Sequence, residues 1–171
     1  MTIFRPMQPG AGEPPEPYAK VVNVSVREDF PLPVAGVITL VAGYHYQLAQ
    51  DVDLAGWRLV AGGVVAISGS SSETVTLSST GLTGTALLTS TFSLPMRDIT
   101  ITAAIDVAID GGGTAAIDWA AVNFMDCPVI GTIENVDNFI MTVSAFLNSG
   151  GMTFDGTVAT AAFETVLFEG R

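Results

Sequence analysis

One short pattern recurs along the second half of the chain, as MRDITITAAIDVAID (96–110), IDWAAVNFMDC (117–127), TVSAFLNSG (142–150) and ETVLFEG (164–170). Each copy alternates apolar with small or polar residues and ends in an acid, an Asn or a Gly. Alignment on the last large apolar residue places Ile101, Phe124, Phe146 and Phe168 at equivalent, nearly evenly spaced positions. The period is about 22 residues, which lies in the range that is the signature of a repeat architecture.

A second series keeps nearly the same period. Ile133 and Phe154 occupy equivalent positions in it, and their neighbours Thr132/Thr153 and Glu134/Asp155 keep step with them. A β-sandwich would instead reverse by hairpins every 8–12 residues or so, and only the DG pairs at 110–111 and 155–156 suit such turns. This period, with short strands, favours a parallel β-helix, whose coils pair at a spacing of about 4.8 Å.

We therefore predict an all-β fold, a single-stranded right-handed parallel β-helix of about six coils with an extended N-terminal arm. The arm spans residues 1–34, which hold seven of the nine prolines, and the β-helix spans residues 35–171. Within the arm, AKVVNVSV alternates well enough for one strand, because it lacks proline. The other predicted strands are 37–41, 58–62, 64–68, 74–78, 85–89, 98–102, 104–109, 115–124, 131–136, 139–146, 152–158 and 161–168.

The two ends of a β-helix present unpaired backbone, which must be capped or joined to a partner. We predict a cap at the start from the aromatic-rich residues 36–63. At the other end the sequence stops three residues after Phe168, with no obvious cap. An exterior rich in Thr, Ser and Ala packs flat against copies of itself, which favours a threefold bundle.

Charge and hydropathy exclude several classes of function. A net charge of −11 and a pI near 4.1 disfavour binding to nucleic acid or to anionic lipid. No apolar run reaches the roughly 18 residues of a membrane span, and the N-terminus lacks a secretory signal pattern, so we expect folding in a cytosol. Cys127 is the single cysteine, which we expect to be a buried strand residue.

No set of residues forms a recognisable catalytic, cofactor or metal motif, and we predict no enzyme activity. The acids Asp106, Asp110, Asp118 and Asp126 recur at short, regular intervals, which suits corners and outer faces better than a hydrolase pair. A Ca²⁺ site among them stays open, although the chain lacks a D-x-D-x-D-G loop. His45 is expected to be structural, the aromatic residues to fill the core, and GGG at 111–113 to form a corner.

Two stretches carry a family likeness: ITLVAGYHYQLAQDVDLAGWRLVAGGVVAISGSSSETVTLSST (38–80) and VNFMDCPVIGTIENVDNFIMTVSAFLNSGGMTFDGTVATAAF (122–163). In strand, turn and Gly/Asn spacing they resemble the short β-helix proteins of tailed-bacteriophage virions. That group includes trimeric capsid cement or decoration proteins and the β-helical parts of tail spikes and fibres. The likeness covers about residues 34–171 and supplies no catalytic motif.

The resemblance implies a structural virion protein, made in the host cytoplasm, that binds the outer surface of the phage head as a homotrimer and stabilises the shell. Its partners would be copies of itself and the major capsid protein, and it would need no cofactor. The alternatives are a tail fibre or tail spike adhesin that binds a host receptor, and a polysaccharide depolymerase. Attachment is expected through the arm, whose candidate contact residues are Phe4, Arg5, Tyr18, Lys20, Arg27 and Phe30.

Overall fold

The computed structural model describes residues 18–70, 75–102, 107–127, 131–150 and 152–169. In these residues the chain winds into a parallel β-solenoid of about six turns, without an α-helix, as the repeat period predicts. One 3₁₀ turn spans Arg27–Asp29. The strands are β1 (Lys20–Val24), β2 (Val37–Leu40), β3 (Tyr44–Leu48), β4 (Val52–Asp53), β5 (Arg58–Ala61), β6 (Ala66–Gly69), β7 (Val75–Ser78), β8 (Leu88–Ser90), β9 (Met96–Thr102), β10 (Val107–Met125), β11 (Gly131–Thr142), β12 (Ala145–Leu147), β13 (Met152–Glu164) and β14 (Leu167–Glu169).

Each described strand pairs with a segment that lies one full turn away along the chain. Every ladder between the described strands is parallel, and the one antiparallel contact among them is an isolated bridge between Val34 and Val37. A hairpin-built sandwich would give antiparallel ladders. The parallel pairing therefore confirms the predicted stacking of coils.

The ladders form three tracks that run along the solenoid. Track one joins β1, β3, β6, the start of β9, the middle of β10, and the later parts of β11 and β13. Track two joins β4, β7, the ends of β9 and β10, β12 and β14. Track three joins β2, β5, β8, and the starts of β10, β11 and β13. The long strands β9, β10, β11 and β13 bend through more than one track.

Each track stacks one inward-facing residue per coil into a column. On track two the column contains Val52, Leu77, Ile101, Phe124, Phe146 and Phe168, which confirms the register predicted from the repeat period. The rings of Phe146 and Phe168 are stacked, with centroids 4.8 Å apart. On track three Ile133 pairs with Phe154, also as predicted. Track one holds Val22, Tyr46, Ile67, Met96, Trp119, Met141 and Phe163, and its longest step lies between Ile67 and Met96.

The corners explain the acid and the Asn near the ends of two repeats, Asp126 and Asn148, which both have positive φ. A corner needs a residue with positive φ, which Gly adopts freely and Asn or Asp tolerates. Left-handed residues recur one coil apart, as in the pair Asp126 and Asn148 and in the series Gly112, Asn135 and Gly156. The corner side chains also bond between coils, because the Asn148 amide donates to the Asp126 carboxylate and the Asn135 amide donates to Asp110.

The N-terminal end of the solenoid is closed by residues from the predicted arm. β1 pairs along its whole length with β3, and the ring of Phe30 is only 4% exposed, with its centroid 5.5 Å from that of Tyr46. The Asp29 carboxylate accepts the backbone N–H groups of Ser25 and Val26 at 2.8 and 3.0 Å, which fixes the turn before Phe30. The described part of the predicted arm therefore belongs to the solenoid, and residues 1–17 lie outside the described residues.

The predicted cap over residues 36–63 is wrong. Its aromatic stretch contains β3, which pairs on one edge with β1 and on the other with β6, so it is an ordinary coil. The sequence signal misled because Tyr46 is a core residue, as the Phe residues of later coils are, and Tyr44 packs against that core. The predicted strands 104–109 and 115–124 also merge into β10, where GGG makes a register-shifted bend rather than a break.

Among the described residues, no strand pairs with the outer edge of the last coil, which β13 and β14 form. Along β13 and β14 the side chains are mostly exposed, although Phe154, Phe163 and Phe168 continue the apolar columns above them. Phe168 is 66% exposed, whereas Phe146 one coil earlier is almost completely buried. The last described coil thus presents the apolar cross-section of the solenoid.

Candidate functional site

The predicted arm contacts do not form one surface. Phe4 and Arg5 lie outside the described residues. Phe30 is a core residue, because it fills the closed N-terminal end. The prediction that its ring contacts a partner therefore does not fit the structure.

The other three candidates contact different elements of the solenoid. The Lys20 ammonium lies 5.5 Å from the ring centroid of Tyr44, and Tyr18 lies against His45, with centroids 5.8 Å apart. The Arg27 guanidinium lies 4.5 Å from the ring centroid of Trp57, which precedes β5. Tyr18 and Lys20 therefore mark the place where residues 1–17 join the solenoid, on the track-one side.

His45 faces outward from β3 and is nevertheless only 3% exposed. Its Nε2 shares a 2.7 Å hydrogen bond with the Ser68 hydroxyl, and Nδ1 has no hydrogen-bond partner among the described residues. Burial, and to a smaller extent the positive charge of Arg97, lowers the pKa of the imidazole. The His45 ring is therefore buried and packed against Tyr18 in an ordinary coil, and the structural role expected from the sequence stays a prediction.

The aspartates named from the sequence are separated around the solenoid. Asp110 and Asp126 lie at different corners and bond to Asn135 and Asn148, Asp118 is exposed on track one, and Asp106 lies outside the described residues. Across the described ranges, no three His, Cys, Asp or Glu residues come close enough to hold a metal ion. The positions of Asp110, Asp118 and Asp126 agree with the corner and outer-face interpretation.

A shallow groove of about 230 Å³ runs along the outer face of track three. Asp110 and Glu134 line it together and are paired across neighbouring coils, and Asp155 follows Glu134 one coil later. The other lining residues are Val60, Ala61, Thr89, Ser90, Thr91 and Thr132. Period counting missed the Asp110–Glu134 pair, because the register of β10 against β11 shifts just after Asp110.

Track two presents an outer face of a different character near the C-terminal end. One outward column contains Thr100, Asn123, Ala145 and Leu167, and the next contains Thr102, Met125 and Leu147. We call these seven residues the track-two face. Met125 is 38% exposed and Leu167 is 56% exposed. These seven residues are uncharged, and the second column ends in Glu169, which pairs with Leu147 in the last coil.

Comparison of the chain with protein-family models, with curated proteins and with solved structures found no match. A search of the described residues found no helix that is both long enough and apolar enough to cross a membrane. The surfaces of the solenoid itself are therefore the basis for a functional proposal.

Proposed function

We propose that this chain is a non-enzymatic structural protein of a tailed-bacteriophage particle. It binds the outer surface of the head as a homotrimer, contacts the major capsid protein and stabilises the shell. The observation that carries the proposal is apolar surface near the end of the described solenoid, where Met125, Leu167 and Phe168 are 38%, 56% and 66% exposed. Exposed apolar surface of this kind is typical of a protein that functions in an assembly.

The distribution of polar groups also suits a structural role. Buried hydroxyls bond within the solenoid, as when Ser144 Oγ accepts from the backbone N–H of Val122 and donates to the carbonyl of Thr142. Corner carboxylates are bonded to corner amides. These hydroxyl, carboxylate and amide groups therefore use hydrogen bonds within the solenoid to stabilise its stacked coils.

Attachment to the head is assigned to the N-terminal segment. Phe4 and Arg5 are its candidate contacts, and Tyr18 and Lys20 are the candidates where it joins β1. Arg and Tyr are among the residue types that are enriched at the energetic hot spots of protein interfaces. Phe30 is not part of this assignment, because it is buried in the solenoid.

A second candidate function is supported by the groove on track three. Asp110 and Glu134 are direct partners on neighbouring coils, and adjacent strands lie about 4.8 Å apart, a separation close to that of the two carboxylates in retaining glycosidases. The exposed ring of Phe92 follows Thr91 at the edge of this groove. This arrangement suits a tail spike module that binds or cleaves a host glycan.

Heads assembled without this protein distinguish the two functions. Purified full-length chain is added to such heads, and the bound copies per particle are counted by gel densitometry. A cement protein is expected to saturate at hundreds of copies and to raise the temperature at which the heads release their DNA. Binding of only a few to some tens of copies, at the tail, would contradict the proposal and favour the adhesin.

Two sets of variants separate the surfaces. Replacing Phe4 and Arg5 together by Ala is expected to weaken head binding at least tenfold, whereas Thr153→Ala, an exposed change far from the N-terminus, leaves it unchanged. Loss of glycan cleavage or glycan binding in Asp110→Asn and Glu134→Gln would instead support a glycan site in the groove on track three. If the Phe4/Arg5 variant binds heads as tightly as the wild-type chain does, the assignment of attachment to the N-terminal segment is overturned.

A further inference from the structure

The track-two face differs from the other outer faces in charge. From β9 to β14 its two columns carry one charged side chain among the described residues, Glu169, which pairs with Leu147 at the end of the second column. The outer face of track three carries Asp110, Glu134 and Asp155. The outer face of track one carries Arg97, Asp118 and Glu164.

Charge restricts how copies of this chain can meet. With a net charge of −11, a contact that places acidic faces opposite each other brings like charges together, and such juxtaposition costs several kcal/mol in protein interfaces. The uncharged track-two face avoids that cost. It also places Met125, Leu147 and Leu167 one coil apart, where a second sheet can pack on them at a distance of about 10 Å.

A head-to-tail stack of copies is a weaker solution. The N-terminal end is closed by Phe30 and the turn before it, so the last described coil of one copy would meet a covered surface on the next. Such a contact also repeats without closing and generates filaments. Side-by-side contact through the track-two face closes into a ring.

We propose that the track-two face is the interface through which copies of this chain bind one another. The occupants are further copies of this chain, each turning its track-two face toward a common threefold axis, and the number of three copies rests on the proposed function. Side-by-side copies place their last described coils at the same end of the assembly. The apolar cross-sections, with Phe168 nearest to the interface, then lie next to each other.

The test measures the mass of the assembled protein by sedimentation and native mass spectrometry at micromolar chain concentration. The full-length chain is expected to be a trimer. Met125→Asp and Leu167→Asp each place a carboxylate on the face, and each is expected to weaken association at least tenfold. The matched control is Thr153→Asp, which adds the same charge at an exposed position in the last coil but on track three, and it should remain a trimer.

Two further measurements separate loss of an interface from loss of folding. Molar salt screens charge repulsion to within about 3 Å, so it should restore part of the association of Met125→Asp, which a misfolded chain would not show. Mixing Met125→Asp with Met125→Lys should give mixed assemblies, because opposite charges then meet. A monomeric wild-type chain, or unchanged association in both aspartate variants, would overturn the proposal. Head binding by the monomeric variants is measured in a separate experiment. Failure of the interface proposal can therefore be distinguished from failure of the proposed function.

Discussion

At the scale of single residues, one corner of the solenoid carries an evident conformational cost. Asp98, Ala121, Val143 and Thr165 succeed each other at this corner, and all have positive φ. The left-handed region is tolerated by Asp or Asn but costs about 1–2 kcal/mol for most other residues, and a β-branched residue there is a true outlier. Val143, with φ of 47° and a side chain 65% exposed, therefore bears a backbone cost without burying its side chain fully.

We expect Val143→Asn to raise the free energy of unfolding by about 1 kcal/mol, because Asn adopts the left-handed conformation more easily. Denaturant unfolding followed by circular dichroism measures this change. Val64→Asn is the matched control, since Val64 is similarly exposed and is not among the residues with positive φ. An equal gain in the control would show that the corner conformation is not the cause.

His45 gives the stability a defined pH dependence. Burial lowers the pKa of its imidazole below the ordinary value of 6.5, so the folded chain takes up this proton less readily than the unfolded chain. As the pH falls below 6.5, the unfolded chain gains the proton first and the free energy of unfolding decreases. Well above pH 6.5 both states are neutral at this residue, and its contribution is constant.

The variant His45→Gln has no proton to gain at this position. We therefore expect its unfolding free energy to change less than that of the wild type between pH 7.5 and 5.5, whatever its stability at pH 7.5. Paired denaturant titrations at several pH values measure the difference in slope. Parallel curves for the two proteins would contradict the assignment, because other groups titrate in both.

At the scale of elements, the phenylalanine column of track two tests the stacking of coils. Phe146 lies between Phe124 and Phe168, and it has ring partners in the coils on both sides. We expect Phe146→Ala to cost about 3–5 kcal/mol, as for other buried phenylalanines. Phe168→Ala, at the exposed end of the same column, should cost no more than about 1 kcal/mol, because only a third of its surface is buried. Thermal and denaturant unfolding of both variants give the comparison.

Prediction from sequence succeeded where consecutive coils have nearly equal length. In the last coils the steps between stacked residues are almost constant, so alignment alone found the columns that end in Phe154 and Phe168. It failed in the first coils, where the short step from Tyr46 to Ile67 is followed by the long step to Met96, and Tyr replaces Phe in the interior. The Asp110–Glu134 pair was also missed, because a register shift is set by backbone geometry that spacing does not encode.

At the scale of the whole molecule, the first coil determines which N-terminal truncations destabilise the protein. Residues 1–17 precede β1, whereas residues 18–30 supply β1 and Phe30, which close the N-terminal end. We expect a chain that begins at residue 18 to melt like the full-length protein but to lose head binding. A chain that begins at residue 31 should lose at least about 3 kcal/mol of stability, because Tyr46 loses the ring packed on it. Calorimetry of the two truncated chains measures their stabilities, and the binding assay with heads measures attachment. Equal melting temperatures of the two chains would show that residues 18–30 do not close the N-terminal end.

The long step between Ile67 and Met96 shows how the solenoid accommodates extra chain. Part of the additional chain lies in a loop between β7 and β8, where Gly81 and Gly84 take positive φ and leave open space beside their Cα atoms. The ladders above and below this loop keep their parallel register. A foreign peptide, such as an epitope or an affinity tag, can therefore be grafted between these glycines, and under the proposed function each decorated head would display it in many copies.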